Sequence, residues 1–184
     1  MIPKFEIGFW HPFGPHAGET AEEILARKND EINNNPEHWT LWSFQFRNSL
    51  NSWYQEINKV NPDNVLVFCS MGVGAKDPKQ EPSKCGYYLP VNELASKVIP
   101  KEISVPHPMK TGGRGSAFIV KEIIYPADFK PVNIKWLRND GWQISTLPTR
   151  PEYLIKPDKS GVLMRDVRAI LVLKRPYLAT VGII

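Results

Sequence analysis

Apolar and polar residues alternate in short stretches along this chain, and each stretch predicts one strand or one helix. The segment F-E-I-G-F-W at 5–10 has the pattern of a first strand, and H-P-F-G-P-H-A-G after it has the composition of a loop. Thr20 and Glu23 then fit a capping box, in which the two side chains satisfy free N–H groups at the start of a helix. The run N-N-N-P at 33–36 ends that helix.

A second strand and a second helix follow. The segment W-T-L-W-S-F at 39–44 alternates and contains bulky rings, which favours a strand. Apolar residues recur at helical spacing between Leu50 and Ile57, and Asn48 or Ser49 is placed to cap that helix. The first third of the chain is therefore predicted to alternate strand and helix.

The remaining chain predicts mostly strands. The continuous apolar run V-L-V-F-C-S at 65–70 suits a buried central strand. Residues 71–90 and 100–115 have the composition of loops, and Asn92 is a candidate cap for a short helix that ends at Val98. Further strands are predicted over 116–125, on both sides of an Asp140–Gly141 turn, over 167–174 and over 178–184.

This order of elements predicts an α+β fold in a single domain, residues 1–184. The chain length suits one domain with a substantial core. A mixed sheet that curls into a small β-barrel, with two to three helices packed outside it, accounts for the change from alternating elements to strands.

Composition narrows the class of protein. The sequence has no run of about 18 apolar residues, so we expect no transmembrane helix and no membrane partner. Its start lacks a basic stretch followed by an apolar run, which argues against a secretory signal. Cys69 and Cys85 are too few for a disulfide framework; two free thiols in a reducing compartment are expected, with a bridge between them as the open alternative. We therefore expect a cytoplasmic protein.

Charge is distributed unevenly along the chain. Residues 1–60 carry 5 basic and 8 acidic side chains, a balance of −3, and residues 61–184 carry 18 basic and 11 acidic ones, a balance of +7. This asymmetry favours a polyanionic partner for the second part.

The loop K-T-G-G-R-G-S at 110–116 adds to this preference. Its glycines would let backbone N–H groups approach a phosphate, and Lys110 and Arg114 would add positive charge. It is not a Walker loop, because the lysine precedes the glycines and a strand follows. The competing interpretation is a loop with solvated charges.

Aromatic residues supply candidate platforms for stacking. Trp10, at the end of the first predicted strand and followed by His11, is the preferred candidate for stacking on a base, and Trp42 lies on the second strand. Core packing is the competing interpretation of each ring.

A segment with two histidines and two glutamates is a candidate metal site. His11, His16, Glu19 and Glu23 have side chains of the types that bind zinc. Their spacing matches no helical metal signature, and the two carboxylates are better explained by stabilisation of a helix N-terminus. We expect no metal and no cofactor, and keep a small metal-dependent hydrolase that uses the 11–23 region as the alternative function.

Two predicted strands and a downstream tryptophan resemble the PUA-like superfold, including its EVE and ASCH relatives. The segment N-V-L-V-F-C-S at 64–70 is similar to the central strand of such barrels, and G-S-A-F-I-V-K-E-I at 115–123 is similar to their strand with a small residue followed by Val-x-x-Ile. Trp136 follows downstream. The resemblance implies binding of RNA or of modified DNA bases in a pocket with an aromatic wall, without catalysis.

The sequence thus predicts a nucleic-acid-binding module, with RNA or modified DNA as its partner. A third hypothesis is an interaction scaffold that binds no small ligand, and no particular residue supports it specifically. The predicted nucleic-acid-binding residues are Trp10, His11, Trp42, Lys110, Arg114, Trp136 and Arg138.

Overall fold

The structure is a computed structural model that describes residues 1–44, 50–72, 85–88, 96–98, 114–127, 129–138, 140–143 and 153–183. These residues form two helices, α1 (Ala21–Asn34) and α2 (Leu50–Val60), and one mixed sheet. The strands are β1 (Ile7–Phe13), β2 (Thr40–Phe44), β3 (Val65–Met71), β4 (Cys85–Tyr88), β5 (Ser96–Val98), β6 (Arg114–Ile124), β7 (Val132–Arg138), β8 (Gly141–Gln143), β9 (Tyr153–Pro157), β10 (Val162–Met164) and β11 (Val167–Ile183). The protein is therefore α+β, as predicted.

The predicted capping box begins α1. The Thr20 hydroxyl accepts the N–H of Glu23 at 3.2 Å, and the Glu23 carboxylate accepts the N–H of Thr20 at 2.7 Å. Asn35 ends the helix, and its N–H donates to the carbonyl of Glu31. The caps proposed for α2, Asn48 and Ser49, lie outside the described residues. Neither described helix is long and apolar enough to cross a membrane.

The central strands follow the order β10-β7-β9-β1-β3-β11. Strands β1 and β3 pair in parallel, and the other described pairings are antiparallel. Strand β11 is long enough to take part in two regions: its first half pairs with β3 and β6, and its second half pairs with β6 and β4. Strand β2 extends the sheet beyond β6.

The sheet is strongly curled. Only Arg165 and Asp166 join β10 to β11, so three peptide units of about 3.8 Å separate the ends of these strands by about 11 Å at most. In a flat sheet, β10 would lie five strand spacings from β11, or about 24 Å away. The path must bend to bring them together. Among the described residues no pairing joins β10 to β11, so the predicted barrel is not closed by hydrogen bonds there.

Among the described residues, buried side chains on the two faces of the sheet form two cores. The helix core contains the buried faces of α1 and α2 together with β1 residues such as Phe9. The strand core lies on the opposite face, and its fully buried members come from strands only. Those members are Trp10, Leu66, Phe68, Ile134, Trp136, Ile155, Met164, Val167, Ile170 and Val172.

The first strand is longer than predicted. It continues through Phe13, whereas the sequence placed residues 11–18 in a loop. Pairing with β3 extends as far as Phe13 opposite Met71, and the described pairing with β9 ends at Trp10 opposite Tyr153, the first residue of β9. Pro12 therefore lies within a strand, opposite Ser70 of β3.

Two other predictions were wrong, and two short strands were not predicted. Ser96–Val98 is a strand and not the end of a third helix, because it pairs with β4 in a segment predicted as a loop. The segments 167–174 and 178–184 belong to one strand, which shifts its register against β6 between Leu173 and Leu178. The short strands β9 and β10 carried too little alternation to be recognised.

Candidate functional site

His11 and Trp42 are brought together by the structure. The indole Nε1 of Trp42 donates to Nε2 of His11 at 2.9 Å, and the two rings meet edge to face with centroids 5.9 Å apart. Because Nε2 accepts this bond, it carries no proton. Both side chains are buried in the helix-core face among Phe13 and Phe118. This pair is therefore a satisfied polar contact inside a core.

Trp10 lies on the other face of the sheet, since neighbouring residues of a strand point to opposite sides. Strand β1 aligns Trp10 with Phe68 of β3 and with Tyr153 of β9. Strand β7 aligns Trp136 with Ile155, two residues along β9 from Tyr153. The rings of Trp136 and Tyr153 have centroids 6.1 Å apart. We call Trp10, Trp136 and Tyr153 the indole cluster.

Within the part of the chain that the structure describes, the two indole N–H groups of this cluster have no hydrogen-bond acceptor. Trp10 is 5% exposed and Trp136 is 2% exposed, and neither Nε1 finds a hydrogen-bond partner. An unpaired buried donor costs about 1–3 kcal/mol. By contrast, Trp39 donates to the Glu37 carboxylate at 2.8 Å, and Trp42 donates to His11. The donors of Trp10 and Trp136 thus differ from those of Trp39 and Trp42, which are satisfied.

A cation lies at the rim of the indole cluster. The guanidinium carbon of Arg138, at the end of β7, lies 5.3 Å from the centroid of the Trp136 ring. Arg138 is exposed, whereas the ring beneath it is buried. A cation over an indole face is attracted by the ring quadrupole. The arrangement combines two buried donors, an aromatic face and an exposed positive charge.

The predicted residues thus separate into groups. Trp10, Trp136 and Arg138 lie on the strand-core side, and His11 and Trp42 lie on the helix-core side. Lys110 lies outside the described residues. The backbone of Arg114 begins β6 opposite Gly182, and its side chain is likewise outside the description.

The two carboxylates of the 11–23 region and the His11 side chain are engaged in other contacts. Glu19 forms an ion pair with Arg27 at 2.7 Å, and Glu23 caps α1. His16 and Glu19 exchange backbone hydrogen bonds. Within the described residues, no group of three or more His, Cys, Asp or Glu side chains is placed to hold a metal ion.

A buried ionic group between α1 and β2 escaped the sequence reasoning. The Glu31 carboxylate accepts from Lys28 Nζ at 2.7 Å, from Arg27 Nη1 at 2.7 Å and from the Thr40 hydroxyl. Burial lowers the pKa of Lys28 to about 8, against the attraction of Glu31. Burial opposes ionisation of Glu31, but the Lys28 charge and the hydrogen bonds prevail and lower its pKa. The group ties the helix to the strand.

The only sequence signal for these sites was residue type. Two tryptophans 126 residues apart share one cluster because β9 lies between their strands, and a linear pattern does not contain that relation. Tyr153 was not predicted at all. Comparison with known protein families, curated proteins and solved structures finds no match for this chain.

Proposed function

We propose that this protein is a nucleic-acid-binding module with a PUA-like arrangement of its curled sheet, and that the indole cluster receives a base of RNA or of modified DNA. The observation that carries the proposal is the pair of unpaired indole N–H groups on Trp10 and Trp136, with an exposed arginine over the Trp136 ring. Bases offer carbonyl and ring-nitrogen acceptors on a flat aromatic body, which suits both the donors and the ring faces.

Arg138 gives the site a simple way to open. Its guanidinium occupies the face of Trp136 that a base would stack on. When Arg138 swings outward, the ring face is uncovered and the guanidinium becomes available to a phosphate, which it binds through paired N–H donors. One side-chain movement thus exchanges a cation–ring contact for a base–ring contact and a phosphate contact.

Charge supports the same partner. The balance of +7 after residue 60 includes Arg138 and the Lys110–Arg114 loop. Phosphate contacts release counterions, so the affinity should fall steeply as salt is added. Both helices pack on the helix-core face of the sheet, and the buried residues of the opposite face come from strands alone. This arrangement is consistent with ligand recognition by the sheet.

Fluorescence anisotropy with short labelled single-stranded RNA and DNA, at low and moderate salt, tests the proposal. Trp10→Phe and Trp136→Phe keep an aromatic ring but remove the donor, and each should weaken binding about threefold to tenfold. Trp39→Phe is the matched control, because its N–H already bonds Glu37 away from the cluster. Absence of binding by the wild-type protein at low salt, or full affinity in both cluster variants, would show that the proposal is wrong.

A further inference from the structure

A cavity of about 820 Å³ opens at the border of the strand core. It lies between the segment 2–5, the residues that follow β6, the start of β7 and Pro157. Ligand pockets in proteins commonly measure about 300–1,000 Å³. Phe68, which is aligned with Trp10, forms part of its wall, whereas neither indole of the cluster lines it. This cavity is therefore distinct from the site proposed for a base.

Its walls are apolar. The Phe68 ring lies 4.8 Å from the ring of Phe5 and 6.2 Å from the ring of Phe129, measured between centroids. Ile124 and Val132 complete this surface. Three prolines also line the cavity, at positions 3, 126 and 157, and proline offers no N–H donor. Against these apolar walls a base or a sugar would replace few of its hydrogen bonds to water, whereas a hydrocarbon body has none to replace.

Among the lining residues that the structure describes, the charged side chains are both cationic. Lys4 and Lys130 contribute them, and none of the described lining residues is acidic. Asp158 follows the lining residue Pro157, but its carboxylate is held by Lys135 at 3.1 Å and by the Ser160 hydroxyl at 2.6 Å. The cavity therefore joins an apolar wall to two cations, and the complementary ligand has an apolar body and a negatively charged head.

We propose that this cavity binds a small amphiphilic carboxylate, with the hydrocarbon body against Phe5, Phe68 and Phe129 and the acid group between Lys4 and Lys130. This proposal does not depend on nucleic-acid binding, because it uses a different set of side chains and a ligand of different chemistry.

Isothermal titration calorimetry with decanoate, at a concentration where it is monomeric, tests the site in the full chain. One equivalent should bind. Decyltrimethylammonium has a hydrocarbon chain of the same kind and the opposite charge. It should bind at least about tenfold more weakly, because the two lysines repel its cationic head, whereas they attract the carboxylate of decanoate. Equal affinity for the two amphiphiles, or no heat with decanoate, would overturn the proposal.

Two charge variants locate the acid group. Lys4→Glu with Lys130→Glu should weaken decanoate binding about tenfold or more, and Lys130→Ala alone should weaken it about twofold to fivefold. Lys59→Glu, on the exposed part of α2, is the matched control and should leave the affinity unchanged. Circular dichroism checks that each variant is folded. Decanoate binding of wild-type strength in the folded double variant would contradict the proposed position of the carboxylate.

Discussion

Trp42 of β2 donates its indole N–H to Nε2 of His11 in β1, so two strands that do not pair with each other are joined by a buried hydrogen bond of 2.9 Å. Phe118 of β6 completes the contact, edge to face with the imidazole. The bond links the part of the sheet around β1 to the part around β2 across the helix core. The hydrogen bond accounts for two polar groups inside an apolar core, and no ligand is needed to explain their presence there.

Removal of this donor should destabilise the fold. Trp42→Phe leaves the His11 acceptor unsatisfied and opens space, so we expect the free energy of unfolding to fall by about 2–4 kcal/mol. Urea denaturation measures it. The double variant Trp42→Phe/His11→Phe should recover part of the loss, because it removes both polar partners. A double variant whose loss equals the sum of the two single losses would mean that the two residues are not coupled.

Substitution of Trp10 should mainly lower stability, whereas substitution of Arg138 should mainly change the salt dependence of binding. Trp10→Ala removes a buried ring from the strand core and should cost about 3–5 kcal/mol of stability. Arg138→Ala changes an exposed side chain, so stability should change by about 0.5 kcal/mol or less. If Arg138 contacts a phosphate, its loss should also lower the slope of log affinity against log salt by about one. An unchanged slope would remove Arg138 from the interface.

Local signals in the sequence predicted local structure well. The Thr20–Glu23 box starts α1 because both hydrogen bonds join residues three positions apart, and no distant partner is needed. The loop predicted around Pro12 was wrong because proline favours loops on average, whereas here Pro12 continues a strand that pairs with β3. Ser96–Val98 was misjudged because its strand conformation depends on pairing with β4.

Local signals in the sequence were likewise not sufficient to predict which residues of the candidate site meet. Period-two alternation already implies that Trp10 and His11 point to opposite faces, so they could not belong to one pocket if residue 11 continued the strand. The partner of each could not be deduced. Trp42 meets His11 across a core, and Trp136 meets the cluster through β9, and both relations depend on how the sheet bends.

The N-cap of α1 gives a test of local stability. Thr20→Ala removes the acceptor for the Glu23 N–H and should lower the free energy of unfolding by about 1 kcal/mol. Thr20→Ser keeps the hydroxyl and should cost little. Chemical denaturation of the two variants measures the difference. Equal losses would show that the hydroxyl contributes nothing and that the methyl group accounts for the effect.

Lys28 should make stability depend on pH above neutrality. The pKa of Lys28 is about 8 in the folded protein, against an ordinary value of 10.5 for a lysine in the unfolded chain. Between these values the unfolded chain binds more protons at this position than the folded chain does, so the free energy of unfolding rises with pH. Below about pH 8 both states are protonated and this contribution has no slope. The full shift corresponds to about 3 kcal/mol as an upper bound.

Urea denaturation between pH 7 and pH 9.5, a range chosen from these pKa values, follows the Lys28 contribution, and comparison with a variant that cannot titrate at position 28 isolates it. Tyr125 and Tyr177, whose pKa values are raised by burial, act only above their ordinary value of 10, where they would reduce stability as pH increases. Lys28→Met cannot titrate and should abolish the rise, while Glu31 keeps Arg27 and Thr40 as partners. Lys59→Met, at an exposed position, should retain the rise. A flat wild-type profile, or the same rise in Lys28→Met, would show that the buried ammonium is not the titrating group.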